Sequence, residues 1–283
     1  MFCTLVAHVA FYLLTDITNF KIMYPELFSI GSFTVHSYGF MIMTGAVLGY
    51  FFMTRSAKKD LNIETDKIQS LAILIIIAAF VGGKLLFYLE KPSFYFESFD
   101  NMKRNFRTGF VFYGSLLFAV PVAIWFFRKE KWPLWPMMDR LAITACIIHA
   151  CGRMGCFFAG CCYGIPTDRP WGITFTNSLS QAKPLHTALH PTQLYSASLI
   201  VSILAILLMF KRHQRFEGQL FFVYIIMYAF GRGIIEIFRG DEARGYIIDG
   251  ILSHSQFISI GVIAAAAFFY FRFKGSAKKR VKI

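Results

Sequence analysis

Residues 68–89 read Ile-Gln-Ser-Leu-Ala-Ile-Leu-Ile-Ile-Ile-Ala-Ala-Phe-Val-Gly-Gly-Lys-Leu-Leu-Phe-Tyr-Leu, an apolar run whose one ionisable side chain short of its closing Tyr-Leu is Lys84. A helix needs roughly 20 such residues to cross the hydrocarbon of a bilayer, and in lipid a helix satisfies its own backbone groups. Working outward, comparable stretches lie at Val35–Met53, Gly109–Phe127, Trp135–Cys151, Leu194–Phe210, Gln219–Phe238 and His254–Phe273. The expected architecture is therefore an all-α, polytopic integral membrane protein of about seven transmembrane helices. Composition agrees: the 283 residues are 56% hydrophobic and 16% charged, with a mean hydropathy of +0.53, outside the range of soluble domains. Phenylalanine, 33 residues, suits lipid-facing surfaces, because an aromatic ring carries much apolar area on few rotatable bonds.

The net charge of +13 does not point to nucleic acid, because the basic residues fall in short runs between apolar stretches rather than on one soluble face. They suit contact with anionic lipid head groups. Arg55, Lys58 and Lys59, then Arg128, Lys129 and Lys131, then Lys211, Arg212 and Arg215, and finally Lys278, Lys279, Arg280 and Lys282 alternate with loops poorer in positive charge. The positive-inside rule places these four on the cytoplasmic side, so the C-terminus is expected inside and the N-terminus outside. No repeat or linker divides the chain, and residues 1–283 are read as a single domain. Residues 1–22 fit least well. Leu5–Leu14 is too short to span and lacks the basic lead of a signal peptide, so the segment reads as an N-terminal extension or an interfacial piece, with Met23 an alternative start.

An ionisable group inside the membrane costs on the order of 2.5–3.5 kcal/mol and asks for a reason. Lys84, Arg140, Arg153, Arg232 and Glu236 lie near or within the spans, and His36, His149 and His190 near their ends. Arg140, close to the start of its span, is expected to snorkel to the surface. Arg232 and Glu236, four apart, share a helix face and can form a structural pair. Arg239 follows two turns after Arg232, so the expected face carries Arg, Glu and Arg, with a positive excess suited to a phosphate.

The densest motif is His149-Ala-Cys-Gly-Arg-Met-Gly-Cys-Phe-Phe-Ala-Gly-Cys-Cys-Tyr-Gly164. Its glycines permit close helix packing or a helix break, and a broken helix end beside Arg153 would bind an anion. Cys151, Cys156, Cys161 and Cys162 lack the Cys-x-x-Cys spacing of zinc or redox centres, so no metal is assigned; a disulfide and small packing residues are the other readings. His190 and Gln193 open the fifth span, His190 as a cap or as part of a site. Tyr38 and Tyr113, at the outer ends of their spans, read in isolation as interfacial anchors.

Taken together these residues resemble the prolipoprotein diacylglyceryl transferase family. The likeness rests on Tyr-Pro-Glu-Leu-Phe-Ser-Ile-Gly (24–31), Val-His-Ser-Tyr-Gly-Phe-Met (35–41), Gly-Arg-Met-Gly-Cys-Phe (152–157), His-Pro-Thr-Gln-Leu-Tyr (190–195) and Gly-Arg-Gly-Ile-Ile-Glu-Ile-Phe-Arg (231–239), in the family's order. The resemblance implies seven spans with the N-terminus outside, and an enzyme of the bacterial cytoplasmic (inner) membrane whose site faces outward. That enzyme transfers a diacylglyceryl group from phosphatidylglycerol to the lipobox cysteine thiol of a prolipoprotein, releasing glycerol phosphate, without a cofactor. It implies catalytic roles for Arg153, Arg232 and Tyr38, with Tyr113 at a position where the family carries a histidine. It further implies a substrate-binding lining drawn from Arg153, Arg232, Glu236, Arg239, His190, Gln193, Gly155, Gly164, Cys156 and Cys161. The family signature reads Arg-x-Gly-Asn-Phe-x-Asn-x-Glu; here Cys156 and Ala159 replace the two Asn, and Cys161 the Glu. Two alternatives follow: a related lipid-group transferase with another acceptor, in which Cys161 has a chemical role, or a non-catalytic phospholipid-binding membrane protein.

Overall fold

A computed structural model describes residues 24–31, 33–106, 109–240, 246–248 and 252–281. The expectations for residues 1–22 lie outside them. Seven of the described helices are long and apolar enough to cross a membrane. They are α1 (Ser37–Leu61), α2 (Thr65–Leu89), α5 (Phe112–Lys129), α6 (Leu134–Ala159), α7 (Thr192–Lys211), α8 (Gln219–Ile235) and α9 (His254–Val281). Two short helices, α3 (Pro92–Tyr95) and α4 (Phe99–Arg104), fill the connection between α2 and α5. Three two-stranded antiparallel hairpins pair β1 (Glu26–Ile30) with β2 (Phe33–His36), β3 (Ile173–Thr174) with β4 (Ala188–Leu189), and β5 (Tyr246–Ile248) with β6 (Leu252–Ser253). The all-α, seven-span architecture expected from the sequence is the one found, with the hairpins confined to connections.

Packing divides the chain into two compact units, one from Tyr50 to Arg140 and the other from the residues up to Gly49 and from Leu141 onward. In the Tyr50–Arg140 unit, α2 and α5 cross where Gly82 faces Gly114; a Cβ on either would run into the other's carbonyl. Small residues at such a crossing let two backbones approach within lipid, where packing replaces the hydrophobic driving force. Ser115 donates to the Ala79 carbonyl at 2.8 Å beside this contact. Lys84 is 8% exposed, donates to the Gly109 carbonyl at 2.8 Å, and lies 5.4 Å from the rings of both Phe87 and Phe106. Arg140 does not snorkel. It is 9% exposed, its Nη2 meets Asp60 at 3.0 Å and its Nη1 donates to the Pro136 carbonyl at 2.7 Å. A carboxylate within reach removes the reason to seek water.

In the other unit the β1–β2 hairpin leads into α1, whose first turn is pinned by the Ser37 hydroxyl on the Tyr24 carbonyl and the Ser37 N–H on the Pro25 carbonyl. Along α1 and α6, Gly45 lies against Cys151 and Ile148, Gly49 against Ile148 and Thr144, and Gly155 against Tyr38 and Met41. This close seam explains a departure from expectation: α6 does not stop at Cys151 but continues for two more turns to Ala159. Gly152 and Gly155 serve helix packing, and the break comes at Gly160, with φ of +72°. Beyond it, Ile173, Phe175, Ala182 and Leu189 pack with Phe157 of α6 into a small apolar core that gives the long connection between α6 and α7 a defined shape. By contrast α9 buries only 6% of its apolar span, leaving the rest for lipid.

Candidate functional site

The site is built on α6 and α8, the fourth and sixth spans, which cross in the same sense if successive spans alternate. Each carries a ring four residues before its arginine: His149 before Arg153, and Tyr228 before Arg232. At that spacing the side chains lie one above the other on a single face. The two rings meet, with centroids 5.2 Å apart in an edge-to-face arrangement, and Tyr224 stacks on Tyr228 at 5.9 Å. One turn further along each helix, both guanidinium groups lie within electrostatic reach of the same imidazole. The ring contact thus joins two helices whose arginines, 79 positions apart in the chain, both act on one imidazole.

Each arginine is held by part of its fork. Arg153 Nε donates to His149 Nε2 at 3.1 Å, which makes that nitrogen the acceptor and puts the proton of a neutral ring on Nδ1. This is the one hydrogen bond of Arg153 among the described residues, so its two Nη groups point elsewhere. Arg232 Nη1 is paired with Glu236, whose side chain is 7% exposed. A guanidinium oriented through one nitrogen keeps the rest of its planar fork for a phosphate.

Arg239 does not continue this face. The helix tightens into a 3₁₀ turn over Glu236–Phe238, and Arg239 is extended, with φ −79° and ψ 137°. Its backbone pairs with Gly164, and its Nη1 reaches the Cys162 carbonyl at 3.4 Å. The reason is a backbone junction: Gly164 N–H donates to the His190 carbonyl at 2.9 Å, and Ile165 N–H to the Phe238 carbonyl at 3.0 Å. A Cβ at Gly164 would strike both His190 and Phe238. Gly164 therefore ties the ends of three segments together, and Gly155 seats the first turn of α1, including Tyr38, on α6.

Gln193 is fully buried; its Nε2 donates to the Cys161 carbonyl at 2.7 Å, and its Oε1 has no partner among the described residues. Thr192, also fully buried, donates to the Cys162 carbonyl at 2.6 Å. His190 faces away from this pair, in a chain in which Trp171 Nε1 donates to the Tyr195 hydroxyl at 2.8 Å and that hydroxyl meets His190 Nδ1 at 2.9 Å. Burial, and then the charge of Arg169, hold the His190 imidazole below its ordinary pKa.

Cys156, Cys161 and Cys162 are thiols, with all three Sγ atoms within 4.8 Å of one another. Within this trio Cys162 is held below the ordinary thiol range, first by sulfur hydrogen bonds with Cys156 and Cys161 and then by the charges of Arg239 and Arg153. Cys161 is pushed up by those same bonds and by burial. Tyr38, 45% exposed, lies within electrostatic reach of the three sulfurs and of Arg153.

Of the residues expected from sequence, Arg153, Arg232, Glu236, Arg239, Cys156, Cys161, Gln193, Gly155, Gly164 and Tyr38 belong to one unit and connect through the contacts above. His190 joins them through its backbone. Tyr113 belongs to the other unit, in the first turn of α5 and 66% exposed. His149 was legible only as a polar residue near a helix end, and Tyr228 not at all; the signal was their place four residues before each arginine.

A sequence model described as "Prolipoprotein diacylglyceryl transferase" matches residues 25–272. A Clostridium tetani protein named phosphatidylglycerol--prolipoprotein diacylglyceryl transferase is 34% identical over 248 residues, covering 88% of this chain and 97% of the relative. One from Clostridium perfringens, whose name carries the number 2, is 32% identical over 88% of this chain and 94% of its own length. One from Serratia proteamaculans is 30% identical over 85% of this chain and 90% of its own length.

Proposed function

The chain belongs to the prolipoprotein diacylglyceryl transferase family, and on that premise we propose that it transfers a diacylglyceryl group from phosphatidylglycerol to the lipobox cysteine thiol of a prolipoprotein. The reaction takes place at the outer face of a bacterial cytoplasmic membrane, an assignment supported by the alternation of basic loops. The observation that carries the chemistry is the pair of half-held arginines around His149: Arg153 fixed through Nε, and Arg232 through its ion pair.

The phosphate of phosphatidylglycerol sits between the two guanidinium groups. The acceptor thiol gives up its proton to water, its sulfur attacks the glyceryl carbon, and the bond from that carbon to the phosphate oxygen breaks. The electron pair leaves with glycerol phosphate. Negative charge grows on the leaving phosphate, where two fixed cations in a poorly solvated site stabilise it most. Glu236 positions Arg232 rather than meeting the substrate, and His149 does the same for Arg153. The buried Oε1 of Gln193 accepts from a head-group hydroxyl, and Tyr38 stands where the sulfurs and Arg153 meet.

The test is transfer of labelled diacylglyceryl from phosphatidylglycerol vesicles to a lipobox peptide by the reconstituted protein. Arg232→Gln should lower the rate by about 100-fold or more, the scale of losing one preorganised charge donor. Lipid that binds while the peptide stays unmodified would overturn the transferase reading in favour of a phospholipid-binding protein. Labelling of a different acceptor by a lipid extract would point to a related transferase.

A further inference from the structure

The transfer chemistry gives no step to the three clustered sulfurs, yet the chain is shaped to hold them together. Cys156 lies in the last turns of α6, and Cys161 and Cys162 in the turn that follows. That turn folds back through left-handed backbone at Gly160, φ +72°, and at Cys162, φ +61°. The Cys161 N–H returns to the Cys156 carbonyl at 3.1 Å. A left-handed residue other than glycine is uncommon, and it persists only where its surroundings over-determine it.

Those surroundings are explicit. The Cys161 carbonyl is held by Gln193 at 2.7 Å, and the Cys162 carbonyl by Thr192 at 2.6 Å and Arg239 at 3.4 Å. Gln193 and Thr192 are both fully buried. With both carbonyls held, the backbone that carries the two sulfurs is fixed, and their Cα–Cβ bonds with it. The charges of Arg153 and Arg239 both reach the cluster, where they would offset the net negative charge of several thiolates around one ion.

We propose that Cys156, Cys161 and Cys162 form a three-thiolate binding site for a soft monovalent metal ion, Cu(I), at the C-terminal end of α6. Thiolates select soft ions, and structural zinc almost always takes four ligands. Among the described residues the group gathers three cysteines and no histidine or carboxylate as a fourth ligand, which favours a low-coordinate ion. Three S–H bonds give their protons to solvent, three Cu–S bonds form, and no electron is transferred. The expectation of no metal, drawn from the lack of a Cys-x-x-Cys pattern, missed this because the convergence depends on the backbone turn and not on spacing.

The test is an anaerobic titration of the purified, reduced protein with Cu(I) against a chromophoric Cu(I) chelator. Wild type should take up one equivalent more than the Cys156→Ser/Cys161→Ser/Cys162→Ser variant, with ultraviolet thiolate-to-metal absorption. Each single Ser variant should bind more weakly by about 100-fold or more, exceeding the usual cost of disturbing a group that only orients a ligand. Cys151→Ser should bind as wild type. X-ray absorption at the copper edge of the wild-type protein needs no variant, and should show three sulfur neighbours. Equal uptake by wild type and triple variant, a different set of neighbours, retention of Zn(II) but not Cu(I), or a disulfide within the trio in the reduced, metal-exposed protein would each overturn the proposal.

Discussion

Two cations, the buried Lys84 in one unit and the half-buried Arg153 in the other, show how differently a membrane protein can treat the same expense. Lys84 is fully occupied at home: a carbonyl at 2.8 Å and two aromatic faces at 5.4 Å surround it next to the Gly82–Gly114 crossing. Arg153 is held by one nitrogen on an imidazole, with the remainder of its fork uncommitted among the described residues. The first arrangement fastens two helices; the second holds a charge ready for something that arrives. What separates structural from functional charge here is whether its hydrogen-bonding capacity is consumed, rather than how deeply it is buried.

The strongest way to break this comparison is Arg153→Lys. An ammonium keeps the charge but loses the planar fork and the Nε contact, so transfer should fall by roughly 100- to 1000-fold with little change in thermal midpoint. Near-wild-type turnover in the vesicle assay would remove Arg153 from the phosphate role. Lys84→Met should show the converse: transfer within about threefold of wild type, and a loss of stability of roughly 1–3 kcal/mol from the unpaired Gly109 carbonyl, read from thermal unfolding in detergent. A larger loss of turnover than of stability would mean that Lys84 also serves the chemistry.

The smallest effect concerns pH. His190 titrates below its ordinary value, so as pH falls from about 6.5 toward its depressed native pKa the unfolded chain takes a proton that the native chain refuses. Stability therefore declines with falling pH across that window, and the slope fades below it. Protonation would add a cation near Arg169 and make Nδ1 a donor toward the Tyr195 hydroxyl. His190→Gln should flatten the thermal midpoint below about pH 6.5, the reference histidine value; an unchanged profile would assign the dependence to another group.

Much of the fold was legible because hydrocarbon imposes a simple rule on length and polarity, and each of the seven apolar stretches became a helix. What the rule could not reveal was settled by contacts between distant segments. Gly152 and Gly155 left close packing and a helix break both open, and the close approach of α1 decides for packing despite their poor helical propensity. Arg239 lay in register with Arg232 on paper, and the pairing of its backbone with Gly164 draws it off the helix. The two arginines were legible from their cost, their meeting only from the rings beneath them. The cysteines stood out in the sequence, but the convergence of positions 156, 161 and 162 did not, since it runs through two left-handed residues that no spacing rule anticipates.

The ring pair of His149 and Tyr228, backed by Tyr224, has a consequence for the lipid itself. On the proposed reading it is a depth stop: one turn below the arginines the two helices are bridged by an edge-to-face ring contact, so a phosphate held by the guanidinium groups goes no deeper, and the bond presented to the incoming sulfur is set by where the head group runs aground.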